Sequence, residues 1–546
     1  MLANLQRSNL MARRYFFLAL FFTCGFSCNV MCGLAAEGGT NHVFPVREYG
    51  AVGDGVATDT AAIQKAIDTC SAAGGGDVYF SPGIYLSGTV FLRDNVRLFL
   101  ESSAVLRGSP HAKDYPLIAR QDPQAPAFTI PPFAGGGFLL YAEGVKNVAI
   151  AGRGTIDGQG PAFWQKELIN AFVRKPMADR PLSLIALVNC DSIQFRDINL
   201  TNSPCYTLWL LGCNNVHVDG ITIRNPHDGP NTDGIDVDCC SNVRIANCWI
   251  DSGDDAIAVR SDASQLGVDK PCENINVTNC VLCSTPACAL RVGYAGDSIL
   301  RNCTFSNLTI YDTDIGIDMI SILPNWPTIM KGTRCENIVF NNITMRDVKR
   351  AIFIWMGNER GGDSQIYMKN VAITNVIAQS RFGSYIGGYD HRNVEDITLA
   401  NVRLTLTGQM PPEAALADAD VWGGVIHPCA LYCNRAEGLR LIDVSLDFRQ
   451  ASGPWQYGVF CTKTSNTSIR GLQTQGLAAR SPQSVLGFNH ARATVRDVDA
   501  EPQVATFCNL TNDSHVTMID CDLSSTKTPW SLDKESTVSD RGNALP

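Results

Sequence analysis

A short phrase recurs along the chain: "VKNVAI" (145–150), "CDSIQF" (190–195), "CNNVHV" (213–218), "CSNVRI" (240–245), "CENINV" (272–277), "CENIVF" (335–340) and "MKNVAI" (368–373). Aligned on the Asn, or its equivalent, ahead of the Val or Ile, the copies fall at 147, 192, 215, 242, 274, 337 and 370, with 393 in "HRNVEDI" as an eighth. The shortest steps are 215 − 192 = 23 and 393 − 370 = 23 residues, and longer ones approach one and a half or two such units. Periods of this length belong to solenoids. Within each unit apolar and polar residues alternate, as in Val216/Val218 and Val243/Ile245, which is the period of a strand. A short strand cannot bury its apolar face alone, so successive coils must stack into one continuous core. In-register parallel stacking puts equivalent residues ~4.8 Å apart on neighbouring coils. The expected fold is therefore all-β: a single-stranded right-handed parallel β-helix over residues 131–525.

The flanks read differently. "TDTAAIQKAIDTCSAAGGGDV" predicts a short amphipathic helix from about Thr60 to Ala73, N-capped by Asp59 or Thr58 and stopped at Gly74. It would cover the open apolar end of the first coil, making residues 37–130 an N-terminal cap with the first coils. The tail 526–546 is polar and aperiodic, so loose order is expected there. At the other end, Arg13 and Arg14 precede "YFFLALFF", and small residues follow in "CGLAAEGG". Residues 1–36 thus read as a signal peptide for secretion or periplasmic export. The uncharged run from Tyr15 to Ala36 is also long enough for an anchor, but Gly25, Ser27 and Asn29 favour cleavage, and no membrane partner is expected for the mature form.

Export and 21 cysteines suggest disulfides, yet the cysteines follow the repeat. Cys190, Cys213, Cys240, Cys272 and Cys335 occupy one repeat position, and Cys248, Cys280 and Cys303 are read as sharing another. Buried cysteine behaves as a small hydrophobe, so inward thiol ladders are expected. The lone Cys280-x-x-Cys283 has no partner pair of the zinc type. A net charge of −9 supplies no basic footprint for nucleic acid.

The repeat also orders the carboxylates. "DGIDV" (233–237) aligns with "DAIAV" (255–259), "CALRV" (288–292) and "IGIDM" (315–319). Asp233 and Asp255 then become direct neighbours, 22 residues and one coil apart. Ile235, Ile257, Leu290 and Ile317 point inward, while Asp236, Ala258, Arg291 and Asp318 point outward. Gly234, Ala256, Ala289 and Gly316 flank them, leaving a smooth floor for a chain-like ligand. Stacked carboxylates repel, so one holds its proton more tightly. With Asp254 leaning to another side, the set offers one acid and two bases around a gap, as glycoside hydrolysis requires. Inverting enzymes typically separate the two carboxyls by ~6.5–9.5 Å. A Ca²⁺ site is the rival use of clustered carboxylates and would point to eliminative cleavage.

These residues resemble glycoside hydrolase family 28, the polygalacturonases and their relatives in the pectin lyase-like β-helix superfamily. "REYGAVGDGVATDTAAIQKAID" (47–68), "GTIDGQGPAFW" (154–164), "NSPCYTLWLLGCNNVHVDGITIRNP" (202–226), "NTDGID" (231–236) and "SGDDAIAV" (252–259) follow that family's order. The resemblance implies Asp254 as general acid, Asp233 and Asp255 as the pair that holds and deprotonates water, and metal-free, cofactor-free hydrolysis with inversion. Asn231 opens the first of the two aspartate motifs and is placed among the substrate-binding residues. Two departures stand out. Gly-His-Gly is replaced by Ala287-Cys288-Ala289, and Arg-Ile-Lys by Asp318-Met319-Ile320. An Arg replaced by Asp318 reverses the charge where the family grips a galacturonate carboxylate. Arg291 is positioned to pair with Asp318, and Arg260 is the best remaining cation for an acidic sugar.

Three readings follow: a hydrolase of a pectic polysaccharide with an altered uronate subsite, a hydrolase of a neutral or sulfated glycan, or a non-catalytic glycan-binding β-helix. His227 is a candidate cleft residue or a satisfied turn histidine. Trp355, Tyr389 and His391 are candidates for stacking on sugars. The insertions around 160–180 and 408–428 are candidate cleft walls.

Overall fold

The structure, a computed structural model, describes residues 42–120, 126–128, 134–294, 296–417, 424–479 and 484–546. The signal peptide expected over residues 1–36 lies outside the described residues. Strands dominate, and their pairings are parallel from Val43–Pro45 to Thr537–Arg541, apart from one short hairpin and one isolated bridge. The chain is a right-handed parallel β-helix.

Three parallel stacks make up each coil. One runs through Ser183–Val188, Tyr206–Leu211, Ile235–Asp238 and Ile257–Arg260. A second runs through Asp191–Arg196, Asn214–Asp219, Ser241–Ala246 and Cys272–Thr278, and a third through Asn199–Thr201, Thr222–Arg224 and Trp249–Ser252. Inward residues from all three fill one continuous apolar core.

The repeated Asn earns its place through the backbone. Asn147, Asn215, Asn242, Asn274, Asn337 and Asn370 all have positive φ, between 53° and 59°. The chain must turn sharply there into the next strand, and Asn tolerates the left-handed region better than most side chains. Their amides also stack coil upon coil: Asn274 Nδ2 donates to Asn242 Oδ1 at 3.1 Å, and Asn370 Nδ2 to Asn337 Oδ1 at 2.8 Å. Two register details differ from the sequence alignment. Val371 pairs with Ile397, so the left-handed residue after Asn370 is Asp396 (φ 51°), not Asn393. The long step from 274 to 337 contains another coil, marked by Asn302 (φ 56°).

The eighteen described cysteines are all buried and free of disulfides. Cys190, Cys213, Cys240 and Cys272 directly precede or begin matched positions of one stack, continuing through Leu300 to Cys335. Cys248 and Cys280 share a second column, but Cys303 does not join them. It pairs with Ile275 and Ile338, because Leu308 takes the place after Cys280.

The helix Thr60–Ala72 buries Ile63, Ala66, Ile67 and Cys70 against the first coil. Asp59 stands at its N-cap, but its carboxylate turns back to accept Val52 N (2.6 Å) and Gly53 N (3.0 Å). The tail is not loose: Thr528–Leu532 and Thr537–Arg541 extend two of the stacks. Polar composition there reflects a terminal coil that buries only one side of itself, as capping repeats do. Of the proposed walls, the 160–180 insertion forms the antiparallel hairpin Trp164–Leu168/Arg174–Pro176. Residues 418–423 of the second insertion lie outside the described set.

Candidate active site

The outward column follows the predicted register residue for residue: Asp236 pairs with Ala258, Ala258 with Arg291, and Arg291 with Asp318. One step earlier, Gly234 N donates to Asp255 O at 2.9 Å, tying the coil of Asp233 directly to that of Asp255. Cys288 and Ile315 continue that column.

Carboxylate oxygens of Asp233, Asp254 and Asp255 all lie within 4.8 Å of one another. The coil spacing of ~4.8 Å brings Asp233 to Asp255, and Asp254 joins them as the chain neighbour of Asp255. Asp233 and Asp255 are buried, and Asp254 is half-buried at the cleft surface. Asp254 is fixed through its backbone: its carbonyl accepts Ser252 Oγ (2.6 Å) and Ser284 Oγ (2.7 Å), while its Oδ1 accepts Asp255 N (2.9 Å). Burial, reinforced by the Asp255 charge, pushes the Asp254 carboxyl up to about 7. Burial and the neighbouring carboxylates hold Asp233 well above the ordinary range. Within the described residues, neither makes an ion pair. Asp254 thus keeps a proton up to about neutral pH, while Asp233 ionises less readily than a free aspartate.

Asp255 is treated differently. Its Oδ2 accepts Arg291 Nε at 2.9 Å, and its Oδ1 accepts Cys288 N at 3.1 Å and Arg291 Nη2 at 3.4 Å. Arg291 reaches on to Asp318 Oδ2 at 2.6 Å, which also accepts the Cys288 thiol at 3.2 Å. The expected Arg291–Asp318 pair is therefore present, and the same guanidinium anchors a catalytic candidate.

Arg260 is not the free cation sought for an acidic sugar. It hydrogen-bonds Asp236, lies 3.4 Å from Asp238, and sits over the Tyr206 ring at 5.4 Å. Its side chain is only 14% exposed. Alternation explains why: Asp236 and Asp238 are two apart on one strand and face the same side, with Arg260 opposite Asp238. Asn231 Oδ1 accepts Arg180 Nη2 at 2.7 Å, and fully buried Arg180 also donates to Pro204 O (3.0 Å) and Pro230 O (2.5 Å). Arg180 thus clamps the loop that presents Asp233. Sequence reasoning missed it, since an arginine in an insertion carries no periodic signal. His227 Nε2 lies 2.5 Å from Asp251 Oδ1 at the cleft rim. Trp355 is buried in an apolar cluster, Tyr389 packs against the core, and His391 is 94% exposed beside Asp390.

Comparison with known proteins decides the family. The sequence model of Glycosyl hydrolases family 28 matches residues 132–418. The chain belongs to glycosyl hydrolases family 28. Residues 43–126 match a second model, Rhamnogalacturonase A/epimerase, pectate lyase-like. A probable polygalacturonase of Vitis vinifera is 30% identical over 329 residues, covering 59% of this chain and 64% of that protein's length. An exo-poly-alpha-D-galacturonosidase of Dickeya chrysanthemi is 24% identical over 472 residues, covering 76% and 73%. In structure, the family 28 exopolygalacturonase of Yersinia enterocolitica superposes with a TM-score of 0.57 at 20% identity, covering 83% of this chain and 78% of that one. That likeness bears on the fold.

Proposed function

We propose that this family 28 chain is an inverting O-glycosyl hydrolase of a pectic polysaccharide, with Asp254 as general acid and Asp233 and Asp255 holding the attacking water. The observation that carries the reading is the convergence of three carboxylates whose environments differ. Asp254 keeps a proton near neutrality and can pass it to the leaving oxygen. Asp255, held by Arg291, faces Asp233 across one coil, and a water between them is activated for attack on the anomeric carbon. Both oxygens of Asp255 are already engaged by N–H donors, which favours metal-free chemistry over a Ca²⁺-dependent elimination.

The substrate subsite beside Asp318 takes an uncharged sugar in this reading. Asp318 carries a carboxylate of its own, and Ile320 is buried among Ile322, Phe353 and Trp355. Neither can grip a galacturonate carboxylate, and Arg291 is spent on Asp255 and Asp318. The same charge balance favours a second reading, a wholly neutral glycan.

Reducing-sugar release from acidic and neutral pectic polysaccharides and oligosaccharides, by wild type and Asp254→Asn, tests both. Release that depends on Asp254 supports a hydrolase, and the preferred glycan separates the two substrates. No release from any glycan leaves a binding module instead. The anomer formed first, read by NMR, tests inversion.

A further inference from the structure

We propose that His227, Asp251 and Cys283 form a binding site for a divalent transition metal of the zinc type at the rim of the cleft. The proposal stands on geometry apart from the hydrolytic centre and does not depend on the hydrolase reading. One ligand atom from each of the three side chains lies within 4.8 Å of the other two. The donors are imidazole nitrogen, carboxylate oxygen and thiol sulfur, the set that zinc prefers.

Two of the three are held by the coil register. Asp251 and Cys283 pair directly on successive strands, so their side chains leave the same face one above the other. His227 follows the strand Thr222–Arg224 and folds back over Asp251. The column runs Arg224, Asp251, Cys283, Tyr311 and Arg346. Its two arginines are parked on rings, Arg224 over Trp249 at 4.1 Å and Arg346 over Tyr311 at 4.7 Å, which leaves the centre of the column to the ligand trio.

Cys283 is the telling member. Sixteen of the eighteen described cysteines sit in the apolar clusters; Cys283 and Cys288 do not. A simple His227–Asp251 ion pair accounts for two of the residues but gives no reason for a buried thiol on an otherwise polar, outward column. Among the described residues, Cys283 Sγ is otherwise met by Asp251 and by the Asp312 carbonyl, at 3.6 Å. Around a tetrahedral zinc, ligand atoms stand about 3.3–3.7 Å apart, given bonds of about 2.0–2.3 Å. His227 Nε2 must therefore retreat from its 2.5 Å contact with Asp251, which its 44% exposure allows. Binding releases the Cys283 proton to solvent, and thiolate plus carboxylate balance the dication. With three protein ligands a fourth position stays open, on the side of the cavity that His227 shares with Lys166, Phe172 and Arg174.

The test uses the full chain, stripped with chelator and titrated with Co²⁺ and then Zn²⁺. The expected result is one equivalent of Co²⁺ bound with a thiolate-to-cobalt charge-transfer band, displaced by Zn²⁺. Cys283→Ser should abolish the band, and His227→Ala should weaken binding at least tenfold, with circular dichroism confirming that each variant is folded. Asp254→Asn should bind as wild type does. No band in wild type, a band that survives Cys283→Ser, or stoichiometry lost in Asp254→Asn but kept in Cys283→Ser would each overturn the proposal. The last outcome would place the ion on the Asp233–Asp254–Asp255 group. If Cys283→Ser fails to fold, His227→Ala decides alone, since its side chain is half-exposed; wild-type affinity in that variant overturns the site.

Discussion

Two neighbouring pairs of coils on one face, a lower rung that carries Asp233 and Asp254 and an upper rung that carries Arg291 and Asp318, have opposite electrostatic arrangements. On the lower, Asp233 and Asp254 are crowded, partly or wholly desolvated and without a cation of their own. On the upper, Asp318 is equally buried, yet Arg291 lies 2.6 Å away and the Cys288 thiol donates to it. The strands, register and outward geometry are the same. What differs is compensation, and compensation decides whether a buried carboxylate is a reactive group or a structural one. The family places a histidine and an Arg-Lys pair on the upper rung, by the resemblance of its motifs. Here a cysteine and an acid stand there, and Arg291 has become the link between the rungs.

The strongest way to break this contrast is at the lower rung. Asp254→Asn should reduce kcat by about 10²–10⁴-fold, the usual contribution of a general acid. Reducing-sugar kinetics on the preferred glycan measures it. A loss smaller than tenfold would mean that the uncompensated rung is not the catalytic one.

Removing the link comes next. Arg291→Leu leaves Asp255 and Asp318 buried without their cation, a loss of about 3–5 kcal/mol in denaturant unfolding. Adding Asp318→Asn should recover part of that stability but not kcat, because Asp255 still lacks its anchor. Recovery of both would place Arg291 with the upper rung alone.

Sharpening the upper rung is a smaller change. Asp318→Asn removes a negative charge and frees one side of Arg291 for a ligand. KM for an acidic oligosaccharide should fall about tenfold relative to a neutral one of the same length, or about 1.4 kcal/mol. An unchanged ratio would show that selectivity is set elsewhere, for example at the cavity bounded by Lys166 and Arg174.

The contrast was half legible in the sequence. The columns Asp236–Ala258–Arg291–Asp318 and Ile235–Ile257–Leu290–Ile317 follow from the alternation alone, because a one-residue slip would turn apolar side chains outward. The pairing of Arg291 with Asp318 followed from that column. The capture of Asp255 by Arg291 did not, since it reaches diagonally between columns by a long side chain. Arg260 looked free for the same reason: its bonds to Asp236 and Asp238 depend on which way a flexible side chain leans. Irregular coils account for the other gaps. Asn393 and Asp396 both precede an apolar residue, and only the pairing of Val371 with Ile397 selects Asp396. Arg180 lies in an insertion, where no period exists to place it.

The smallest effect tests the same comparison through pH. An unfolded aspartate titrates near 3.9, whereas burial and the Asp255 charge push folded Asp254 up to about 7. Between those values the folded chain binds the extra proton. Folding stability from this group is thus fully present below about pH 4 and declines as pH rises through about 7. Asn at 254 cannot ionise and escapes that decline. Asp254→Asn should therefore match wild type near pH 4 and be more stable at pH 8: three pK units at about 1.4 kcal/mol each set a ceiling of about 4 kcal/mol, which solvent at the half-buried carboxyl screens down to about 1 kcal/mol. Thermal unfolding of both proteins across that range measures the gap. Hydrolysis by wild type should fall over the same interval, since the acid loses its proton as pH passes about 7. A gap of opposite sign would mean that ionised Asp254 is stabilised in the folded chain. The lower rung would then be a second structural pair, with no proton to give.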